Sequence, residues 1–416
     1  MSTIAVIGSG ISGMSVAWLL SRGGHQVWLY EREARLGGHT HTHAVETSKG
    51  IRPIDTGFIV HNDRTYPNLV RLLRQLGVER QKSNMSFGVR CDRTRTEYSS
   101  RGLRGFFADK KNLLRPSHYK LFREMVRFNR RSTELIERGE QLDMTLREYL
   151  QRENFSAALR DLYLYPMACS VWSTSMDRID EFPAMTLLRF FYNHGFLTVN
   201  KHPQWYVVKG GSSRYIKPLT APYSERVVLG AKISKVSAFD QGTTVHFADG
   251  ATTHFDEVVF ACHAPQALAL IDNPTQEESN ILGAMTTTPN RTVLHTDSRL
   301  LPRRKDARAS WNYHRTTQTT APTLTYDMNR LQSLDTAEKF CVTLNQVNAV
   351  RRESVVKDLQ YAHPLYTMDA VRAQGQWAEI SGRRHLHFCG AYWFYGFHED
   401  GLNSAIRVAK SLGVEW

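Results

Sequence analysis

Residues 3–42, TIAVIGSGISGMSVAWLLSRGGHQVWLYEREARLGGHTHT, decide the fold. Ile4 to Ile7 is a short apolar run rich in β-branched side chains, which predicts a buried strand. Gly8, Gly10 and Gly13 follow at once in G-x-G-x-x-G spacing. The first glycine permits a tight turn, the second lets the backbone approach a pyrophosphate, and the third lets a helix pack close to the strand. Met14 to Leu20 has helix-forming content, and Gly23-Gly24 stops it. Such a helix aims free N–H groups and a positive dipole end at phosphate. Val27 to Tyr30 predicts a second strand ending in Glu31, eighteen residues past Gly13 and near the ~20 expected of a carboxylate that binds ribose hydroxyls. A glycine triplet alone says little. Strand, glycines, helix, strand and acid in one βαβ unit specify a dinucleotide-binding domain rather than an ordinary glycine-rich turn.

Directly after the acid, Arg35, Gly37 and Gly38 make a second glycine turn, which brings more backbone N–H groups and an arginine near the same pyrophosphate. The run E-R-x-x-R-x-G-G-H from Glu31 to His39 resembles the flavin-containing amine oxidase, protoporphyrinogen oxidase and phytoene desaturase superfamily. Within it, the chain is similar to a bacterial group of flavoproteins that also resembles the N-terminal region of plant cyclopropane fatty acid synthases. Blocks at both ends and in the middle extend the resemblance over nearly the whole chain. It implies an α/β chain (α+β overall): a Rossmann-type FAD-binding domain of the glutathione-reductase-like kind, and a discontinuous substrate domain of helices and an antiparallel sheet. The expected boundaries are 1–65, 205–265 and 379–416 for the FAD domain, and 66–204 and 266–378 for the substrate domain.

The resemblance also implies a non-covalent FAD site. Its first turn would use Gly8, Gly10, Ile11, Ser12 and Gly13, with Glu31 and Arg32 at the ribose and Arg35, Gly37, Gly38, His39 and Thr40 at the second turn. Asp55 and Gly57 lie in a D-x-G block that relatives place close to the flavin, with Phe58 next, although a turn acid bonded to local N–H groups explains Asp55 equally well. Gly210 and Gly211 mark the return to the FAD domain, Val236 is expected near the adenine through its backbone, and Ala261 begins the A-C-H-A-P turn. In the last block, Gly390 precedes a helix start with Asp400, Gly401, Leu402 and Ala405, whose dipole would face the flavin N1–C2=O edge. Relatives commonly carry an acid after that first glycine, where this chain has Ala391.

At 416 residues the chain is long for one core, and 41% hydrophobic content suits a globular protein. No apolar run approaches the ~18 residues of a membrane span. The opening strand leaves no room for a signal peptide, so a cytoplasmic location is expected, with peripheral attachment to the inner face of the membrane as an addition. Cys91, Cys169, Cys262, Cys341 and Cys389 stand alone, without C-x-x-C or zinc spacing, and read as reduced, mostly buried thiols. A cysteinyl–flavin link at Cys389 is disfavoured because a strand end suits a buried residue. The net charge of +13 favours polyanionic partners such as a membrane surface or an acidic carrier protein, and no nucleic-acid-binding motif is present.

Along the rest of the chain, Tyr66 to Leu76 has helical spacing and Met85 to Tyr98 alternates as a hairpin does. Helices are predicted from Thr145 and over Pro183 to Phe196, and Leu159 to Trp172 reads as core. Trp205 onward reads as strand, glycine turn, then a helix capped by Ser212 or Ser213. Val227 to Val236, Thr243 to Phe247, Asp256 to Cys262, Thr292 to Asp297, Ala309 to His314, Phe340 to Asn345 and His385 to Cys389 read as strands.

In such a protein, hydride passes from substrate carbon to flavin N5, and oxygen or a quinone takes the electrons. A base must remove the proton, and His61, His398 and Glu399 are the candidates, although a lone histidine is more often a structural hydrogen-bonder. Tyr392, Trp393 and Tyr395 could flank the flavin, and no residue matches the amine oxidases' lysine. Three functions remain open: desaturation of a modified fatty acyl chain, oxidation of an amine, and a silent FAD-binding scaffold for a lipid-modifying partner.

One further stretch stands apart. Residues 101–131 hold ten basic and two acidic residues, a net +8. A helix is predicted over 118–138, with Lys120, Arg123, Arg127, Arg130, Arg131 and Arg138 on one face and Tyr119, Phe122, Met125, Val126, Phe128 and Ile136 on the remainder. It is either a domain helix with a solvated basic face or a device for docking on anionic lipid.

Overall fold

The structure is a computed structural model describing residues 1–198, 202–317, 323–345 and 347–416. Thr3–Ile7 lies at the centre of a five-stranded parallel sheet, with Gln26–Glu31 and Val227–Leu229 on one side and Glu257–Phe260 and Leu386–Phe388 on the other. Ile4, Ala5 and Val6 are fully buried, as a strand covered on both faces requires. Ile11–Arg22 supplies the crossover from the first strand to the second, and every residue from Ile11 to Leu20 is buried. That burial comes from the last helix, His398–Ser411, which packs so close that a Cβ on Gly401 would stand 2.7 Å from Ile11 Cγ2. On the other face, an antiparallel meander of Ile233–Phe239, Gly242–Phe247 and Thr252–Phe255 covers Trp28 and Tyr30 with Phe247 and Phe255.

A seven-stranded sheet, antiparallel except where Phe87–Cys91 runs parallel to Trp311–Arg315, draws on residues 87–99 and 287–364. Helices between residues 102 and 193 bury Phe128, Leu135, Tyr149, Leu164 and Phe190 in one cluster with Val89, Tyr98 and Tyr313 of that sheet. A third sheet sets Val60–Asn62 and Arg80–Ser83 on either side of Trp205–Val208. Residues 80–83 therefore share a sheet with strands from two stretches assigned to the other domain, and one apolar core runs across the seam.

Several local expectations change. Val227 to Val236 is not one strand: the chain turns at Gly230, and its second part leaves the parallel sheet for the meander. Ser212 and Ser213 do not cap the short helix that begins there, because Gly211 is the N-cap and both serines are bonded elsewhere. Leu159 to Trp172 is core, and the helix widens to a π-helical turn over Arg160–Leu164. The basic helix spans Pro116–Glu137 and buries His118, Leu121, Phe128, Ser132 and Leu135. Tyr119, Phe122 and Val126, which the sequence groups with Phe128 and Ile136 on the remainder of the helix, are 41–46% exposed. Among the described residues, no helix is long and apolar enough to cross a membrane.

Candidate functional site

The first glycine turn shows why each glycine is there. Gly8 sits at φ +106°, where its missing side chain would lie 3.0 Å from the Ala261 carbonyl. A Cβ on Gly13 would stand 1.8 Å from Gly8 O, so only glycine lets the helix begin this close to the strand. A Cβ on Gly10 meets nothing within 4 Å. The second turn folds back over this opening, and Gly38 comes so near that its Cβ would be 3.1 Å from Gly10 Cα. Arg35 shapes that turn from within by donating to the Gly38 carbonyl at 2.9 Å, while Arg32 points outward and pairs with Glu33.

Glu31 ends the second strand beside this cradle. Its carboxylate accepts from Ser9 N at 2.9 Å, from Ser9 Oγ, and from Glu33 N at 2.8 Å. Two backbone N–H groups thus hold the anion at the strand end, where a ribose would arrive. Glu31→Ala removes this charged acceptor, and a hydrogen bond to a charged group is worth about 1.5–3 kcal/mol. Cofactor affinity should fall ~10- to 100-fold, read by titrating the apo-protein with the dinucleotide and following fluorescence quenching. An unchanged affinity would remove the ribose role from Glu31.

Asp55 is not the locally bonded turn acid. Fully buried, it accepts from Thr42 Oγ1 at 2.5 Å, Ser212 N and Ser212 Oγ at 2.9 Å, and Gln332 Nε2 at 3.2 Å. Burial pushes its carboxyl up to about 6, against the pull of the Thr42 and Ser212 hydrogen bonds. This clamp ties the stretch after the second glycine turn to the Gly210-Gly211 turn. Gly57 packs against the same stretch, where a Cβ would stand 2.0 Å from His39 O.

Around the start of the last helix the three candidate bases separate. Glu399 accepts from Asn68 N at 3.0 Å and Leu69 N at 2.8 Å, so both its oxygens are engaged at the N-terminus of the helix Pro67–Gln75. His398 Nε2 lies 2.9 Å from Thr40 Oγ1 and 3.2 Å from Tyr215 Oη, and its ring stacks on Phe58 at 3.5 Å. Burial holds it down to about 3, so it is a neutral structural hydrogen-bonder. Thr40 and Tyr215 are bonded to each other as well. His61 differs from both. It is fully buried at the centre of its strand, both ring nitrogens lack a partner, and Phe58, Tyr66 and Tyr206 surround it at 6.2–6.4 Å. Burial lowers it to about 4, with Arg80 adding to the shift.

Asp400 accepts from Phe397 N, and burial raises it to about 7. Tyr395 offers its carbonyl to Trp172 Nε1–H at 3.1 Å, and its side chain lines a cavity of about 350 Å³ with Tyr66, His194, Phe397 and Asp400. Leu402 and Ala405 are buried against the first helix's core, and Ser12 Oγ would lie 2.8 Å from a Cβ on Gly401. Gly390 N donates to Ser404 Oγ, which leaves Ala391 at the turn without a carboxylate. The Val236 carbonyl accepts Asp272 N at 2.8 Å. Cys389 is fully buried at its strand end.

Ser9, Tyr215 and Asn68 escaped the sequence reading. Ser9 was legible as the small polar residue inside the glycine turn. The other two act across more than 170 residues, and no local pattern marks them. A dinucleotide fits what is present: an open cradle over Gly10, an acid at the strand end, two helix starts in contact, and unpartnered imidazole nitrogens on His39 and His61.

The sequence profile described as flavin-containing amine oxidoreductase matches residues 11–412. Solved structures with the same fold include wild-type putrescine oxidase bound to putrescine (13% identity, TM-score 0.72, 99% of this chain and 98% of that one). Cyclohexylamine oxidase from Brevibacterium oxydans IH-35A aligns with 13% identity and a TM-score of 0.70 over 99% of each chain. The CLA-producing fatty acid isomerase from P. acnes aligns with 14% identity and a TM-score of 0.71 over 99% of this chain and 98% of that one. With its glycine turns, strand-end acid and paired helix starts in one sheet, the chain belongs to the flavin-containing amine oxidoreductases and is an FAD-dependent oxidoreductase.

Proposed function

We propose that this oxidoreductase holds FAD non-covalently and desaturates an apolar acyl chain, a methyl-branched or unsaturated fatty acyl group of a membrane lipid. The observation that carries the reading is that the described residues include no buried lysine. Lys339, the least exposed of them, is paired with Asp327 at 2.8 Å. What stands by the start of the last helix is aromatic: Phe190 stacks on Phe397 at 4.8 Å and contacts Trp172 at 4.8 Å and Tyr395 at 5.9 Å. Of these, Tyr395 and Phe397 line the 350 Å³ cavity, and their aromatic faces suit hydrocarbon, which they desolvate at no polar cost. The fold accommodates a fatty acid in the isomerase named above.

A bound flavin would supply a hydride acceptor at N5, with oxygen or a quinone as the final electron acceptor. The chain's own residues must seat the substrate, exclude water and take one proton from the carbon adjacent to the one that loses the hydride. His61 is the proton acceptor we assign, because its neutral ring keeps both nitrogens unbonded whereas His398 and Glu399 are committed. His61→Asn should retain flavin and lower its reduction rate ~10²- to 10⁴-fold, the usual worth of a positioned base. An unchanged rate in anaerobic stopped-flow would take that role from His61.

Amine oxidation has one point in its favour, since Glu399 and Asp400 line the 350 Å³ cavity and could face a cation. Both carboxylates, however, already accept backbone N–H groups, and Asp400 is raised to about 7 by burial. Anaerobic bleaching of the flavin separates the readings. Bleaching by branched or unsaturated acyl phospholipid and not by diamines or alkylamines supports desaturation. The reverse result overturns it, and no bleaching by either, with a stable partner complex, indicates the silent scaffold.

A further inference from the structure

Residues 103–126 carry six of the twelve exposed large apolar side chains among the described residues: Leu103, Leu113, Leu114, Tyr119, Phe122 and Val126. Leu114 is 87% and Leu103 71% exposed. At 100° per residue, Tyr119, Phe122 and Val126 fall within about 60° of one another on the basic helix, on the side away from its buried stripe. The helix therefore has two apolar stripes, one in the core and one about half exposed. Single exposed apolar residues are ordinary, but a cluster rimmed by charge marks an interaction surface.

The rim is basic and has lost its acids. Asp109 pairs with Arg304 at 2.9 Å, and Glu124 accepts the Ser156 hydroxyl, so both carboxylates of residues 101–131 are engaged. Among the described residues, Lys110, Lys111, Lys120 and Arg123 are exposed and make no ion pair. Arg127 and Arg131 do not belong to this set, because Arg127 donates to the Glu153 and Asn154 carbonyls and Arg131 pairs with Glu153. Immediately beside Leu113 and Leu114, Lys111 and Arg115 help line a second cavity of about 650 Å³ together with Arg95, Arg303 and Arg304. Its acids are also occupied: Asp92 bonds Arg90 and His314, and Glu97 accepts Arg303 N and Arg304 N.

We infer that this face docks on an anionic lipid bilayer, with Leu103, Leu113, Leu114, Tyr119, Phe122 and Val126 entering the interface and a phosphate headgroup seated in the basic cavity beside them. Charge complementarity selects the occupant. A second copy would bring a like-charged face, which repels, whereas an anionic leaflet neutralises the bases while its acyl region takes the apolar side chains. The inference goes beyond the proposed reaction and does not depend on which acyl group is oxidised.

Co-sedimentation of the flavin-loaded protein with phosphatidylglycerol/phosphatidylcholine vesicles, and with phosphatidylcholine alone, tests it. Wild type should pellet with the anionic vesicles only, and raised salt should release it. Lys110→Glu/Lys111→Glu/Arg123→Glu should weaken partitioning at least tenfold, and Leu114→Glu several-fold. Ile51→Glu, an exposed apolar position elsewhere at 62%, should match wild type. A second readout uses an environment-sensitive dye on Leu114→Cys, whose emission should shift to the blue with anionic vesicles. Equal binding to both vesicle types, an unweakened triple variant, or a dye that stays in water overturns the inference. So does a wild-type dimer in sedimentation velocity that Leu114→Glu dissociates.

Discussion

Gly13→Ala should yield a protein with neither bound flavin nor a stable fold, while Gly10→Ala should fold and lose only the flavin. The two glycines are three residues apart in one motif, yet they face different neighbours. At Gly13 the added methyl would stand 1.8 Å from Gly8 O, a backbone atom at the end of the central strand. Neither can yield without moving the first helix off the sheet, so the cost should reach or exceed the ~3 kcal/mol upper end of ordinary overpacking. Gly10, at φ −65° and ψ −179°, adopts a backbone that alanine accepts, and its methyl would meet no protein atom within 4 Å. Replacing it should even lend the apo-protein about 0.4–1 kcal/mol by restricting the unfolded chain. The methyl would, however, fill the opening where a pyrophosphate must touch backbone. Visible absorbance of the purified variants and urea unfolding of their apo-forms decide the matter. A yellow Gly13→Ala protein of wild-type stability, or a Gly10→Ala protein as unstable as Gly13→Ala, would contradict this division of roles.

Asp55→Ala should destabilise the apo-protein by about 3 kcal/mol at neutral pH and lower its flavin content, because it strands buried donors on Ser212, Thr42 and Gln332 without an acceptor. Asp55→Asn keeps one acceptor oxygen and should cost about 1 kcal/mol. The pH dependence gives a second signature. Burial raises the folded Asp55 carboxyl from the usual 3.8 to about 6, so between those values the folded chain binds more protons than the unfolded one. The contribution of this group is therefore complete below about pH 4 and is lost as pH rises through 6. Two units correspond to about 3 kcal/mol, to be read as the difference in slope between wild type and Asp55→Asn when urea stability is measured from pH 4 to 7. Asp400, raised to about 7 by burial, adds the same sign in both proteins and cancels in that comparison. Parallel curves would mean that Asp55 carries no such penalty.

How much was legible beforehand follows from the range over which each interaction acts. The dinucleotide unit lies within residues 3–42, and its turn, helix start and strand-end acid are properties of neighbouring residues. The pattern by itself therefore determined the βαβ unit, the direction of the first helix and the class of cofactor. The resemblance then placed the chain in its family, and the matched profile agrees. The catalytic candidates were drawn from the same reading, but chemistry there depends on what each side chain touches. Glu399 reaches across 330 residues to Leu69 N, and His398 across 358 to Thr40, so both are committed by partners no local pattern reveals. Asp55 becomes a clamp only because Ser212, 157 residues away, arrives beside it. His61 gains its interest from the reverse, burial without a partner, which is equally invisible in sequence. On the basic helix, periodicity showed charged and apolar sides but not which apolar stripe the core would cover. Packing against the neighbouring elements took Leu121, Phe128 and Leu135, and left Tyr119, Phe122 and Val126 about half exposed. Sequence determines what a segment can form by itself; which of its surfaces are used is decided by the segments that fold against it, because burial and hydrogen bonding are satisfied over the whole molecule and not along the chain.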